Sequence, residues 1–273
     1  MTYPNPELKD IGRFIHARRI VSNASDNKDL PRRRRHVPYI TQEELADLVD
    51  VSPVVISQIE QGRYPNLSGS ILGRIARALS FSQQQKMFAF GLLSPVRPKQ
   101  ETHDIAPKWM LDSIADTQHP TVVMTGAYDL LGWNKKTEAM FGNHAAEFFS
   151  HGNAMTPIFE MPEMKAFFVD WAEYATSMVS GLRMTYAVHS YLREYVRSLA
   201  DTLCERDELF RTQWMKDDPL VIPTIEKELE HPSLGRLRMI QVITIVVEAP
   251  NLTMVEFLPA DDETRAKLAT VLD

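Results

Sequence analysis

The sequence predicts two domains, an all-α bundle followed by an α+β domain with a single antiparallel sheet. Capped amphipathic helices fill the N-terminal third, β-like runs begin only near residue 121, and the net charge changes sign between the two parts. The segment SPVRPKQETHD has two prolines and no apolar periodicity, as linkers do. We therefore predict a domain at 1–95, a linker at 96–106 and a domain at 107–273.

Charge is divided between these two domains. Residues 1–100 carry 15 Lys and Arg against 9 Asp and Glu, net +6, while residues 101–273 carry 15 against 27, net −12. A polyanion is therefore attracted to the first part and repelled by the second. The solitary Cys204 excludes an intramolecular disulfide, and the N-terminus has no signal-peptide pattern. We expect a cytoplasmic protein without a membrane span.

Residues 41–63 predict two short helices joined by a tight corner. Thr41 and Glu44 form a capping box at the start of the first helix, and Ser52 with Pro53 starts the second. Gly62 closes the second helix where a left-handed C-cap is needed. Such a pair fits the DNA major groove, and a plain helical hairpin inside a larger core is the alternative.

An Arg-rich segment, PRRRRH at 31–36, precedes this helix pair. Its arginines suit phosphate contacts or an arm in the minor groove, and the alternative is a solvated basic loop without a fixed partner. The second helix offers few hydrogen-bonding side chains, so we expect sparse base readout and a large contribution from DNA shape. The predicted DNA-binding residues are Arg32, Arg33, Arg34, Arg35, Gln42, Ser52, Pro53, Val54, Val55, Ser57, Gln58 and Arg63.

The N-terminal run resembles the phage-repressor-type (Xre-like) helix-turn-helix. The matching pieces are Thr41-Gln42, Leu45-Ala46, Val51-Ser52, Ile56-Ser57, Ile59-Glu60, Gly62 and a helix from Leu72 to Leu79. Asp50 stands where the family usually has Gly in the corner, but Asp tolerates a left-handed backbone better than most residues. The resemblance implies an operator-binding module, which we expect to act as a homodimer across two half-sites.

The second domain combines a hairpin signal with helices and a strand-like tail. Short β-like runs lie at 121–125 and 128–133, a long aromatic-rich helical region follows Pro162, and further strands are predicted at 221–230, 237–248 and 253–258. Both faces of the run 237–247 are apolar. In one interpretation, one face of the sheet packs against helices around a cavity and the other face contacts an added helix or a second subunit. The alternative is an ordinary core on both faces, without a cavity.

Further pieces resemble the MmyB-like transcription regulators. They are Tyr128-Asp129-Leu130-Leu131-Gly132-Trp133-Asn134, Phe141-Gly142, Asp170-Trp171, Leu182-Arg183, DELFRTQW at 207–214 and HPSLGRL at 231–237. The run from Asn153 to Phe159 also matches, although it lacks the family's Arg, and Ala172 replaces a family Glu. With the Xre-like part, the resemblance covers nearly all of the chain. It implies a PAS-like second domain with a buried apolar ligand pocket.

Such a pocket suits a lipophilic small molecule, possible candidates including a fatty acid. Arg183 and Arg211 are the cations placed to meet a carboxylate, and the alternative for each is a surface or helix-end role. Plain core packing is the alternative for each aromatic residue, and helix capping is the alternative for Asn134. The predicted ligand-binding residues are Trp133, Asn134, Phe159, Phe168, Trp171, Met178, Arg183, Phe210, Arg211, Trp214, Met239 and Ile243.

Enzymatic and metal-binding patterns are missing from the sequence. It has no P-loop, dinucleotide-binding Gly pattern, nucleophile elbow or H-E-x-x-H motif, and its histidines are scattered singly. We therefore predict no catalytic residues, no metal and no cofactor beyond a bound fatty acid or similar molecule. The predicted function is ligand-responsive transcription regulation through double-stranded DNA. The alternative is an antitoxin-like or scaffold factor that uses its helix-turn-helix for protein contacts.

Overall fold

Five helices form the first part of the fold: α1 Pro6–Val21, α2 Gln42–Val49, α3 Pro53–Glu60, α4 Gly69–Ala78 and α5 Gln83–Leu93. The computed structural model describes residues 6–24, 27, 37–95, 105–218, 225–247 and 249–272. By its contacts the chain divides into two units. One consists of Met1–Pro98, Tyr186–Arg193 and Met215–Leu220, and the other of Lys99–Thr185, Glu194–Trp214 and Val221–Asp273. The predicted domain boundaries stay predictions.

The local signals at the α2–α3 corner act as predicted. Thr41 accepts a hydrogen bond from the backbone of Glu44 while the Glu44 side chain accepts one from Thr41, which completes the capping box. Asp50 takes the left-handed conformation at φ 54°, and Gly62 does so at φ 67° after α3. Ser52 caps α3 through the backbone N–H of Val55. The helix-turn-helix geometry therefore comes from local sequence, as expected.

Apolar residues at helical spacing close the bundle. The ring of Phe14 in α1 lies edge-on to the rings of Phe81 and Phe88. The Phe14 ring centroid is 5.2 Å from the centroid of each. Because the buried side chains come from every helix, each helix is held by its apolar face. These buried apolar side chains include Ile11, Ile15, Leu45, Ala46, Val49, Ile56, Ile59, Leu72 and Ile75.

A buried carboxylate joins three of these helices. Glu60 at the end of α3 and Arg19 of α1 have side chains only 4% and 6% exposed. Arg19 donates to Glu60 from Nε at 2.6 Å and from Nη2 at 3.0 Å, and its Nη1 donates to the carbonyl of Ile40. Gln42 of α2 donates to Glu60 at 2.6 Å, and His16 Nδ1 lies 3.1 Å from it. Burial by itself raises the pKa of Glu60, but hydrogen bonds from Arg19, Gln42 and His16 outweigh it and lower the pKa.

The second unit contains a five-stranded antiparallel sheet and nine further helices in the described residues. The strands are β1 Thr121–Thr125, β2 Leu130–Trp133, β3 Glu226–His231, β4 Gly235–Val246 and β5 Ala249–Pro259, in the order β2-β1-β5-β4-β3. The helices are α6 Lys108–Ala115, α7 Lys135–Phe141, α8 Ala145–Ser150, α9 Met155–Glu160, α10 Pro162–Phe167, α11 Trp171–Val188, α12 Arg193–Arg206, α13 Glu208–Trp214 and α14 Asp262–Leu272. The predicted fold class, an all-α bundle followed by an α+β domain, is confirmed.

The two faces of β4 have different neighbours. Leu237 and Met239 are fully buried, but Ile243 and Ile245, farther along on the same side, are 57% and 65% exposed. On the opposite face, α6 packs against the sheet in a cluster that contains Met110, Ile114, Val123 and Leu252. α6 therefore covers this face of the sheet at β1 and β2, and the alternatives considered for β4 stay predictions.

The aromatic-rich region after Pro162 is two helices, so the prediction of one long helical region is wrong at 168–170. Phe168 leaves α10 in an extended conformation and bridges to Leu229 of β3. The next N–H, of Val169, donates to the carbonyl of Glu228 at 3.0 Å. These backbone bonds to β3 replace helical ones, and helical spacing in the sequence carries no sign of them. No described helix has both the length and the apolar character that a membrane span needs.

Replacing Glu60 with Ala should destabilise the bundle by about 3 to 5 kcal/mol, because it leaves the Arg19 guanidinium buried without its partner. All four Trp residues lie at 109 or later, so amide hydrogen exchange in α1 to α4 is the measurement. The matched control is Glu43→Ala on the exposed side of α2, which should cost less than about 0.5 kcal/mol.

The same measurement tests the pH dependence. The pKa of Glu60 is lowered on folding, so its stabilisation is complete above the ordinary Glu value and is lost as the pH falls through the folded value. Glu60→Gln should therefore show a flatter loss of protection in acid than the parent protein. Equal acid sensitivity of the two would contradict this assignment.

Candidate functional site

The α3 face predicted to read DNA is open to solvent. Ser52, Pro53 and Val54 are exposed, with Val54 64% exposed, whereas Ile56 and Ile59 point into the bundle. Val54 therefore lies outside the bundle core. Of the other candidates, Gln58 and Arg63 are exposed and Gln42, Val55 and Ser57 are half-buried. Arg32, Arg33, Arg34 and Arg35 lie outside the described residues.

The polar groups on this face are unequally available. Ser52 Oγ accepts from the Val55 N–H, and Ser57 Oγ accepts from Gln61 Nε2 at 3.1 Å. Within the described chain, the side chains of Gln58 and Arg63 make no hydrogen bond. Gln58 therefore has its full amide for a base edge, and Arg63 has its guanidinium for phosphate.

Four of the predicted ligand-binding aromatics meet in one cluster, which we call the Phe159 cluster: Phe159, Trp171, Phe210 and Trp214. The Phe159 ring lies edge-on to Phe210 at 5.1 Å and to Trp171 at 6.0 Å between centroids, and Phe210 stacks on Trp214 at 5.9 Å. Trp171 Nε1 donates to the Ile158 carbonyl, so its polar atom is satisfied within the protein. The cluster brings α9, α11 and α13 together.

The two predicted cations have different environments. Arg183 is 7% exposed, on α11 with the buried Met178, and its guanidinium lies 5.9 Å from the centre of the Trp214 ring. Its Nη1 lies 3.5 Å from the Gln213 carbonyl, a long hydrogen bond. Arg211 is exposed and donates from Nε to the Cys204 carbonyl at 2.6 Å. Arg183 is therefore the cation beside the aromatic cluster, and Arg211 binds a helix end.

Trp133 ends β2 and Asn134 follows it, and both side chains contact other groups of the protein. Trp133 stacks on Phe149 with ring centroids 4.1 Å apart and donates to Glu138. Asn134 Oδ1 accepts from the N–H of Thr137, which caps α7, and from the N–H of Thr121. Its amide nitrogen donates to three acceptors, the Ile114 and His119 carbonyls and Thr117 Oγ1. The structure thus gives Asn134 the capping role.

The remaining ligand candidates are separated along the sheet. Phe168 stacks on Tyr174, with centroids 4.0 Å apart. Met239 is buried in β4, whereas Ile243 is 57% exposed. The structure therefore brings Phe168 and Met239 into the interior and leaves Ile243 at the surface of the described chain.

Two tyrosines that the candidate set does not include lie at the centre of this domain. Tyr128 has φ 69°, a strained conformation for an aromatic residue, and its hydroxyl lies against Gly181 of α11. Burial raises the pKa of both Tyr128 and Tyr174. The nearby Tyr128 raises the pKa of Tyr174 further, whereas a hydrogen bond with Gln241 lowers it. Both side chains still keep accessible surface.

The strained turn is fixed by polar contacts on every side. Thr125 Oγ1 donates to Asp129 at 2.7 Å and accepts from the N–H groups of Ala127 and Asp129. Asn153 donates to Asp129 at 2.8 Å, and the Tyr195 hydroxyl donates to it as well. This network holds Tyr128 in a conformation that it would not adopt alone.

Comparison with protein families assigns both parts of the chain. A helix-turn-helix family model matches residues 39–82, and the MmyB-like transcription regulator ligand binding domain matches residues 106–271, which is more than half of the chain. The chain belongs to the MmyB-like transcription regulators. No curated protein matches it.

Both matches contain candidate residues of this MmyB-like regulator. The helix-turn-helix match includes the DNA candidates from Gln42 to Arg63, and the ligand-binding match includes every ligand candidate from Trp133 to Ile243. The protein is therefore a DNA-binding transcription regulator with a ligand-binding domain. Among the described residues, no three His, Cys, Asp or Glu side chains are grouped closely enough to hold a metal ion.

The sequence contained a signal for Glu60 that the candidate set does not use. Glu60 comes four residues after Ile56, and Arg19 comes four residues after Ile15, so both charges stand where the helical spacing calls for an apolar side chain. Opposite charges on two buried stripes predict a buried pair. For Tyr128 no comparable signal exists, because its position depends on Gly181, far along the chain.

Gly181→Ala should destabilise the second domain by about 1 to 3 kcal/mol through overpacking. A Cβ at this position would lie 2.2 Å from the Tyr128 hydroxyl but 3.4 Å from the ring carbon that carries it. Tyr128→Phe removes the clashing atom, so the double variant should recover most of the stability that Gly181→Ala removes. Thermal unfolding followed by Trp fluorescence measures all four proteins. Strictly additive effects would show that the hydroxyl and Gly181 do not meet.

Proposed function

We propose that this MmyB-like regulator binds operator DNA through α3 and the Arg-rich segment, and that a lipophilic ligand in the second domain modulates this binding. The observation that carries the proposal is the exposed α3 reading face in the same chain as a ligand-binding domain of this family. The proposal contains no catalytic step. A cytoplasmic location, where operator DNA lies, stays a prediction.

The proposed DNA contact divides into two kinds. Val54 and Val55 suit contact with thymine methyl groups, and the unbonded Gln58 amide suits adenine. Arg32 to Arg35, with Arg63, supply charge for the backbone, which adds affinity without sequence information. The positive charge of residues 1–100, net +6, supports this division.

The proposed ligand is a long acyl chain with a carboxylate, a fatty acid being the simplest case. The Phe159 cluster offers apolar contacts for the chain. Arg183, buried beside Trp214, offers a guanidinium for the carboxylate. A guanidinium can pair with a carboxylate in two places, which favours an anionic ligand end over a neutral one.

We also propose that the protein acts as a homodimer. Helix-turn-helix proteins place one recognition helix in each of two half-sites about 34 Å apart, and a two-fold axis supplies the second helix. Ligand binding then changes operator affinity by altering how the two recognition helices are spaced.

Changing Arg32, Arg33, Arg34 and Arg35 together to Gln should weaken binding to operator and random DNA alike, because phosphate contacts carry no sequence information. The log–log salt slope should become shallower by about 0.9 for each phosphate that the variant no longer neutralises. Gln58→Ala should instead lower discrimination at one base pair by about 1 to 3 kcal/mol. Fluorescence anisotropy at several salt concentrations measures both.

Gln84→Ala is the control for the Gln58 variant, since Gln84 is exposed on α5, away from the helix pair. It should bind as the parent protein does. Failure of the parent protein to bind any duplex, even at low salt, would refute the regulator function. An equal loss of discrimination in the Arg and Gln58 variants would refute the division of roles.

A saturated long-chain fatty acid should raise the melting temperature. At a free concentration a hundredfold above its Kd, it should add about 2.7 kcal/mol to the free energy of unfolding. Its methyl ester should bind more weakly, since it cannot pair with a guanidinium in two places. Arg183→Gln should abolish the preference for the acid, while Arg211→Gln, on the exposed side of α13, should keep it. Calorimetry with both compounds measures this, and equal binding of acid and ester would remove Arg183 from the site.

A further inference from the structure

One carboxylate oxygen of Glu60 gathers donors from two other helices. Glu60 Oε2 lies 2.6 Å from Gln42 Nε2 of α2 and 3.1 Å from His16 Nδ1 of α1. Two groups that close to one atom are neighbours of each other. His16, absent from the predicted DNA contacts, therefore lies beside Gln42, which is one of them.

Close packing of α1 on α3 fixes His16 in this place. A Cβ on Gly12 would lie 2.4 Å from the Ile59 carbonyl and 2.7 Å from that of Glu60, so only Gly allows this approach. Gly12, His16 and Arg19 are spaced by four and three residues and share one helix face. The contact at Gly12 therefore sets both later side chains over Glu60.

The cluster has a buried side and an exposed side. The Glu60 and Arg19 side chains are 4% and 6% exposed, but the His16 side chain is 46% exposed. His16 Nδ1 faces Glu60, so the opposite edge of the ring, which carries Nε2, is the accessible one. Gln42 uses one amide hydrogen on Glu60 and keeps its second. Two donors thus stand side by side at the start of α2.

The first helix of a helix-turn-helix pair crosses the DNA backbone, and its N-terminal end is where phosphate is met. We propose that His16 is a backbone-phosphate contact beside Gln42 and that Glu60 is the positioning residue for both side chains. This inference rests on the proposed DNA binding and adds a residue of α1 to the interface.

The contact depends on the charge of His16. The charged groups that face its ring are Glu60 from α3 and Arg19 of its own helix, whose Nη2 lies 3.3 Å from His16 Nδ1, and α2 contributes the neutral Gln42. Protonated His16 donates from Nδ1 to Glu60 and from Nε2 to phosphate. A neutral imidazole carries one N–H, so it cannot donate to Glu60 and to phosphate at the same time. We therefore expect DNA affinity to fall as the pH rises.

The test uses the full-length protein and a random-sequence duplex, since phosphate contacts need no operator. Binding is measured at about pH 5.5 and about pH 8, between which histidine changes charge. His16→Ala should bind about fivefold more weakly than the parent protein at the lower pH, with a salt slope shallower by about 1, and the two should converge at the higher pH. His16→Arg should bind tightly at both. His151→Ala, an exposed histidine of the second domain, is the matched control and should behave as the parent.

Other histidines, including His36 in the Arg-rich segment, are present in both proteins, so the difference between the parent and His16→Ala isolates His16. Unchanged affinity of His16→Ala at the lower pH, with the parent's melting temperature retained, would overturn the inference and leave the proposed function intact. If His16→Ala weakened DNA binding equally at both pH values and His16→Arg did not restore it, His16 would have a structural role. That result would also overturn the inference. A parent protein that binds no DNA would refute the proposed function as well.

Discussion

Glu60 is a carboxylate that the fold has taken out of water, and the first domain depends on how it is paired. A buried charge of this kind is tolerated only with well-placed donors, and Arg19, Gln42 and His16 bring them from two other helices. The ion pair thereby sets the position of α1 over the helix-turn-helix. The apolar contacts of Phe14, Ile56 and Ile59 add stability, but they are less directional than a two-point guanidinium pair.

In the second domain, strain has a comparable part. Tyr128 is held in a left-handed conformation by the Thr125–Asp129–Asn153 network, and its hydroxyl reaches the backbone of α11 at Gly181. A loop that is fixed in this way transmits a shift in one element to its neighbours, because the alternative is to break several hydrogen bonds.

The two sites follow different physical rules. On the exposed face of α3, side chains lie in solvent, where salt screens the attraction between positive charge and a polyanion. Arg183 is instead buried beside Trp214, where water screens its charge less than at the surface. One chain thus presents an exposed helix face in its first domain and a buried guanidinium in its second.

Local signals in the sequence determined much of this protein. The capping box at Thr41, the Ser52 cap and the Gly62 stop act within one helical turn, so neighbouring residues suffice to predict them, and the apolar spacing determined the fold class. Only the tertiary structure decided the break at Phe168, the hydroxyl contact of Tyr128 with Gly181, and the gathering of His16 and Gln42 on Glu60. Each of these contacts joins residues that are far apart in the chain. The periodicity of a helix indicates which of its faces is buried, but it does not indicate which distant backbone or side chain that face contacts.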